Sequence, residues 1–256
     1  MKKIILLSTI LLVSLAVDAQ KPKYRLVWKE NFNGKELRSD RWSKIPRGRS
    51  DWNNFMSFDE RCYDFSDGKM TLIGLVNDYL PQDTAPYLTG GIFTKDKFSI
   101  TYGKVEVKAR LQGAQGAWPA IWMLPENASW PDGGEIDIME RLNHEAQAYQ
   151  TVHSYYTYTL KMKEPDNSAT APIRPDKYNV YAVEILSDSL VFSINGRRTF
   201  TYPRIETSHK GQFPFGTPFY LLIDMQIEGQ WVGKARPEEL PVKMIVDWVK
   251  FYELKK

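Results

Sequence analysis

A chain of 256 residues with one cysteine, Cys62, cannot close an internal disulfide, so its fold must rest on a packed apolar core. Histidine is almost as scarce. His144, His153 and His209 are the only three, at no spacing that suits a metal-ligand set, which argues against a catalytic zinc. The formal net charge is only +3 and no basic cluster exists, whereas a phosphate backbone demands concentrated Lys and Arg; nucleic acid is excluded as a partner. After residue 20 no apolar run approaches the roughly 20 residues needed to span a bilayer. Helical periodicity is missing too, apart from one turn near Pro237 to Leu240.

What is present begins with Lys2 and Lys3, an apolar run from Ile4 to Val17, and small residues at Val17-Asp18-Ala19. That is the pattern of a secretory signal peptide, so residues 1–19 are expected to be removed and residues 20–256 to form a single domain. Aromatics are abundant, with 8 Trp and 14 Tyr. Some must be core, but flat aromatic faces also suit the apolar faces of sugar rings.

Periodicity points to strands. From Lys104 to Leu111, Val105, Val107, Ala109 and Leu111 alternate with charged residues, which predicts a half-buried strand. Leu190, Phe192 and Ile194 alternate up to Asn195-Gly196, a strong hairpin signal because both residues tolerate positive φ. Ile245 to Tyr252 reads as another strand, with Trp28 and Trp248 assigned to the core. Turn signals recur at Asp67-Gly68, Gly90-Gly91, Gly113 to Gly116 and Gly216 to Pro218. Many short strands with regular turns predict an all-β, two-sheet sandwich.

The most informative segment is Gly133-Gly134-Glu135-Ile136-Asp137-Ile138-Met139-Glu140. On a strand Glu135 and Asp137 share one face while Ile136 and Ile138 fill the other. Glu140 has the wrong parity to join them unless one residue is inserted. A β-bulge near Met139 supplies that residue and brings all three acids to one face. Like charges gathered so closely need a reason. Glycoside hydrolysis offers one: one carboxylate attacks the anomeric carbon while a second, kept protonated, serves the leaving oxygen. The competing reading is three solvated acids on an edge strand.

This signature resembles that of glycoside hydrolase family 16 in its bulged form, and the likeness runs along the chain. Leu26-Val27-Trp28 through Gly34 looks like the family's opening strand. Leu88 to Gly91 through Glu106 looks like its next hairpin, Gly116 to Leu124 like the strand before the signature, and Val246 to Tyr252 like its closing strand. The resemblance implies a β-jelly-roll with an open groove, and endo-acting cleavage of a β-linked polysaccharide with retention. It implies Glu135 as nucleophile, Asp137 as assisting acid and Glu140 as acid/base. No cofactor is implied for catalysis; a structural calcium is, for which Glu30, the backbone of Gly68 and Asp247 are the candidate ligands. The run Glu140 to His144, continuing from Val152 to Tyr156, looks like members from glycan-degrading Bacteroidetes. That makes the expected setting bacterial, periplasmic or secreted, with a monomer acting on a sugar chain.

Departures bear on substrate. Where laminarin-cleaving members carry Asn followed by Ala-Val-Gly-Gly and Trp, this chain has Asp224-Met225-Gln226-Ile227-Glu228-Gly229-Gln230-Trp231; where many have Ser-Gly-Arg, it has Gly90-Gly91-Ile92. Plain β-1,3-glucan is therefore the alternative, behind mixed-linkage β-glucan and β-galactosidic chains of the host O-glycan, poly-N-acetyllactosamine or keratan type, which stay unranked. A non-catalytic carbohydrate-binding protein is a further alternative, disfavoured because all three acids are kept. Trp118, Trp122, Trp130, His153, Gln226, Glu228 and Trp231 are the expected substrate-binding residues.

Overall fold

The computed structural model describes residues 23–255, so the expected signal peptide at residues 1–19 lies outside the described residues. Two antiparallel sheets, of nine and eight strands, face each other across one core. The predicted alternation holds. The strand Gly103–Leu111 buries every second residue, sending Val105, Val107, Ala109 and Leu111 inward. Asn195 and Gly196, at φ 53° and 77°, turn the chain between Ser189–Ile194 and Arg197–Pro203. The short turn near Pro237 is a 3-10 helix, Pro237–Glu239. Cys62 is wholly buried as a small apolar residue.

Two assignments change. Gly90-Gly91 is not a turn but the point where the chain leaves one sheet for the other. Tyr87–Thr89 pairs within the nine-stranded sheet and Gly91–Phe93 within the eight-stranded one. Glycine is required there for space: a Cβ on Gly90 would sit 2.4 Å from the carbonyl oxygen of Cys62. Trp28 packs on the core against Trp42, Phe98 and Phe251, but Trp248 does not. The pairing of Val242–Leu254 with Gly103–Leu111 shifts register between Val246 and Trp248, and the indole ends beneath the Lys250 ammonium at 4.0 Å.

The eight-stranded sheet carries the site. Its central order is Gln147–His153, Glu135–Glu140, Ala117–Pro125, Phe219–Ile227 and Gly91–Phe93. The inner face of these strands feeds the core through Ile121, Met123, Ile136, Ile138, Leu221 and Ile223. The outer face carries a second, smaller apolar cluster of Ile45, Met56, Ala120, Trp122, Tyr220 and Leu222. Ile45 and Met56 come from the segment that passes over the Gly91 end of this face, so one wall of the outer face is built on apolar contact.

Candidate active site

The bulge forms where parity demands it. Asp137 pairs with Trp122 and Glu140 with Ala120, so three steps along one strand match two along its neighbour. The other neighbour shows the same shift, between Thr151 opposite Asp137 and Tyr149 opposite Glu140. Ile138 and Met139 are consecutive yet both lie in the core, which turns Glu140 outward beside Glu135 and Asp137.

The three acids open onto a cleft of ≈ 390 Å³, lined by Ser50, Trp52, Trp118, Trp122, Leu124, Trp130, Glu135, Asp137, Glu140 and Gln226. Each outer acid is held by an indole N–H. Trp118 Nε1 donates to Glu140 Oε1 at 2.9 Å, and Trp130 Nε1 donates to Glu135 Oε2. Asp137 lies between them with Oδ2 buried and unpaired, and His153 Nε2 3.4 Å from it. Donor atoms of Glu135, Asp137 and His153 lie within 4.8 Å of one another. The other two histidines are elsewhere: His144 bonds Glu239 and His209 lies against Tyr156.

Electrostatics separate the roles. Burial, then the charge of Glu135, push Glu140 up to about 8, against the pull of the Trp118 N–H. Burial and the charges of Glu135 and Glu140 hold Asp137 well above the ordinary carboxyl range. Near neutral pH the arrangement therefore stores a proton on Glu140 and favours the protonated form of Asp137. A third buried acid, Asp224, is pushed up by burial to about 7, though Trp122 Nε1 at 2.8 Å and Gln226 Nε2 at 2.7 Å both favour its charged form.

These shifts have a stability consequence. In the unfolded chain such carboxyls titrate near 4, whereas folded Asp224 and Glu140 titrate at about 7 and about 8. The folded state thus binds more protons between those values, and stability is lost as pH rises through them. For Asp224 alone the loss is at most about 4 kcal/mol, from some three pH units at 1.36 kcal/mol each. Urea unfolding should show lower stability at pH 8.5 than at pH 5. Asp224→Asn should shrink that difference by more than about 1 kcal/mol; an unchanged difference would remove Asp224 as a buried titrating group.

Several expected residues need relocation. Trp118, Trp122, Trp130 and Gln226 line the cleft, but Trp122 is nearly covered and acts as floor, edge-on to Trp52 at 4.8 Å. Trp231 lies outside the lining, exposed and edge-on to Trp118 and Tyr149, so it prolongs the aromatic surface. His153 stands beside Asp137 rather than in the lining. Glu228 is not a groove residue. The strand ends at Ile227, Glu228 turns to φ 61°, and its carboxylate takes Lys234 Nζ at 2.9 Å and the Ala235 N–H at 3.0 Å, fixing the loop. Its place in the run that departs from laminarin-cleaving members does not bring it to the groove, because the strand has stopped at Ile227.

The calcium set does not fit as a ligand shell. Asp247 is engaged by Lys108 Nζ at 2.7 Å. Glu30 Oε1 accepts the N–H groups of Asn31 and Phe32, while its buried Oε2, without a hydrogen bond, faces Arg41 at 3.7 Å. Gly68 serves a tight turn at φ 66°. Reasoning from sequence misses Ser50 and Trp52, which lie on the covering segment, and Tyr158, exposed beside Trp130 at 4.4 Å. A tryptophan amid Asp51, Asn53 and Asn54 has no strand to pack on, and that is the one signal the sequence offers.

Comparison with known proteins agrees with this geometry. Residues 59–250 match the family model described as glycosyl hydrolases family 16. A keratan-sulfate endo-1,4-beta-galactosidase from Sphingobacterium multivorum is 35% identical over 90% of this chain, which spans only 56% of that protein's length. The laminarinase of Rhodothermus marinus superimposes with a TM-score of 0.82 at 26% identity, over 92% of this chain and 99% of that one. A structure from work on endo-acting O-glycanases, with which human gut microbes initiate mucin breakdown, gives 0.77 at 28% identity, over 90% and 100%.

Proposed function

The chain belongs to glycosyl hydrolases family 16, and from that premise we propose that it is an endo-acting, retaining β-glycosidase cutting a galactose-containing glycan of the keratan or O-glycan type. The observation that carries the reaction is the bulge that sets Glu135, Asp137 and Glu140 on one face of the cleft, with a raised acid at Glu140. The Glu135 carboxylate attacks C1 as the C1–O bond breaks, and the leaving oxygen takes the Glu140 proton. Glu140, now a carboxylate, then removes a proton from water, whose oxygen displaces Glu135 from C1 and returns the enzyme to its starting state. Protonated Asp137 shares its proton with Glu135 and so spreads the charge the nucleophile gains and loses. The residues ask for no cofactor in these steps.

The substrate class is supported by the galactosidase and O-glycanase relatives and by the cleft itself. Its only formally charged lining groups are Glu135, Asp137 and Glu140. A sulfate at the scissile bond would meet the Glu135 carboxylate and no cation, so the cleft favours neutral sugars flanking that bond. We expect unsulfated poly-N-acetyllactosamine to be cut at least as well as keratan sulfate, and both at least ten times more efficiently than laminarin, in kcat/KM. Oligosaccharides, not monosaccharides, should appear first. Mixed-linkage glucan as best substrate would replace the galactan reading with the glucan one, and laminarin as best would show the Asp224-to-Glu228 substitutions to be neutral. Export fits such a substrate, and the run from Ile4 to Val17 supports it; mass spectrometry of exported chain should show residues 1–19 missing.

A further inference from the structure

One polar atom in the cleft has no use in glycosidic bond cleavage itself. Gln226 lies on Phe219–Ile227 opposite Trp118, two residues from Asp224, and is 2% exposed. Its Nε2 is committed to Asp224 Oδ1 at 2.7 Å, and its Oε1 is buried without a partner in the cleft lining. The amide is oriented from beneath. Trp122 Nε1 occupies Asp224 Oδ2 at 2.8 Å, leaving Oδ1 as the acceptor that fixes the Gln226 NH2 group. Asp224 in turn is enclosed: Gly91 is its strand partner, and a Cβ there would fall 2.9 Å from both Asp224 Cβ and Met56 Sδ. The chain Trp122–Asp224–Gln226 thus leaves an oxygen, not an NH2, unpaired in the cleft wall opposite Trp118, whose indole N–H is given to Glu140. A buried carbonyl left unpaired is costly, and a site built around one rejects ligands that cannot satisfy it.

We propose that Gln226, locked by Asp224, is a specificity-determining residue whose Oε1 requires a hydrogen-bond donor, a hydroxyl or an acetamido N–H, on the sugar ring beside Glu140. This rests on the glycosidase reading and names one feature of its substrate. Asp224 is the positioning residue; it touches no sugar. When ionised, as it mostly is at pH 7.5, Asp224 accepts through both oxygens and the amide cannot turn over without losing a bond, so the demand is for a donor and not for polarity in general.

The test couples enzyme to substrate. Two tetrasaccharides, one of alternating galactose and N-acetylglucosamine and one of mixed-linkage glucose, identify the better scaffold. On it, analogues lacking single hydroxyls or the acetamido group are assayed at pH 7.5 with parent, Gln226→Leu and Asp224→Asn, and Tm values confirm folding. With the parent, one analogue should lose at least tenfold in kcat/KM. Gln226→Leu should lose about as much on the complete substrate and nothing further on that analogue. In Asp224→Asn the freed amide should reduce the discrimination severalfold without abolishing cleavage. If every analogue loses equally in parent and Gln226→Leu, or if Gln226→Leu cuts the complete substrate within twofold of the parent, the inference is overturned. If Gln226→Leu does not fold, undiminished discrimination in folded Asp224→Asn overturns it instead. A parent that cuts neither tetrasaccharide nor any polymer would overturn the glycosidase reading, a separate failure.

Discussion

Glu135→Gln should lower kcat on polymer by more than about 10³-fold while leaving the fold and substrate affinity intact. The amide keeps the shape of the carboxyl and can still accept the Trp130 N–H, so the cleft wall stays in place. What it loses is the lone-pair density to attack C1, which no neighbour replaces: burial and adjacent charge favour the protonated form of Asp137, and Glu140 is committed to the leaving oxygen. The substitution also removes a charge that pushes both of those acids up, so the protein should become more stable, most visibly above neutral pH. Loss of turnover with a raised Tm and unchanged binding of an oligosaccharide is the combined result to look for. Near-parental activity would take the nucleophile's role from Glu135, and lost binding would make it a ligand for the sugar rather than the attacking group.

The three acids are legible in the sequence because a strand has only two faces. Period two fixes Glu135 and Asp137 together, and the one way to add Glu140 is a bulge, which the register shows. Gly103–Leu111 and the Asn195-Gly196 hairpin are legible for the same local reason. Sequence reasoning fails where the decisive contact is distant along the chain. Whether Glu228 still faces the groove depends on where pairing stops, and its holders are Lys234 and Ala235, not its strand neighbours. Gly90-Gly91 reads as a turn locally, but the crowding that demands glycine comes from Cys62 and from Asp224, more than 130 residues further on in the latter case. Trp52 is invisible as a site residue because only the fold of residues 45–56 over the sheet brings it to Trp122. Asp224 stands out as a departure from relatives, yet its burial and its grip on Gln226 emerge only when Ala117–Pro125 lies beside it.

Glu140→Ala should behave differently from Glu135→Gln, and the difference identifies each role. Without the stored proton, expulsion of a sugar oxygen slows by about 10²- to 10⁴-fold, the usual worth of general acid catalysis. An aryl leaving group that departs as a stable anion needs no proton, so formation of the covalent intermediate on Glu135 should fall by less than about tenfold. That intermediate then accumulates, since no base remains to activate water. Azide needs no base and fits the space left by the carboxyl, so it should restore turnover on the aryl substrate. Its product carries the stereochemical answer. Two successive displacements at C1 give a β-glycosyl azide from Glu140→Ala, whereas azide replacing the nucleophile in Glu135→Ala acts once and gives the α-anomer. The pH profile adds an independent sign. Glu140 titrates at about 8, so parental kcat/KM on polymer should fall above that pH as its proton is lost, and aryl-substrate cleavage by Glu140→Ala should lack that limb. An α-azide from Glu140→Ala, or a basic limb that survives the substitution, would exchange the two assignments or move the acid elsewhere.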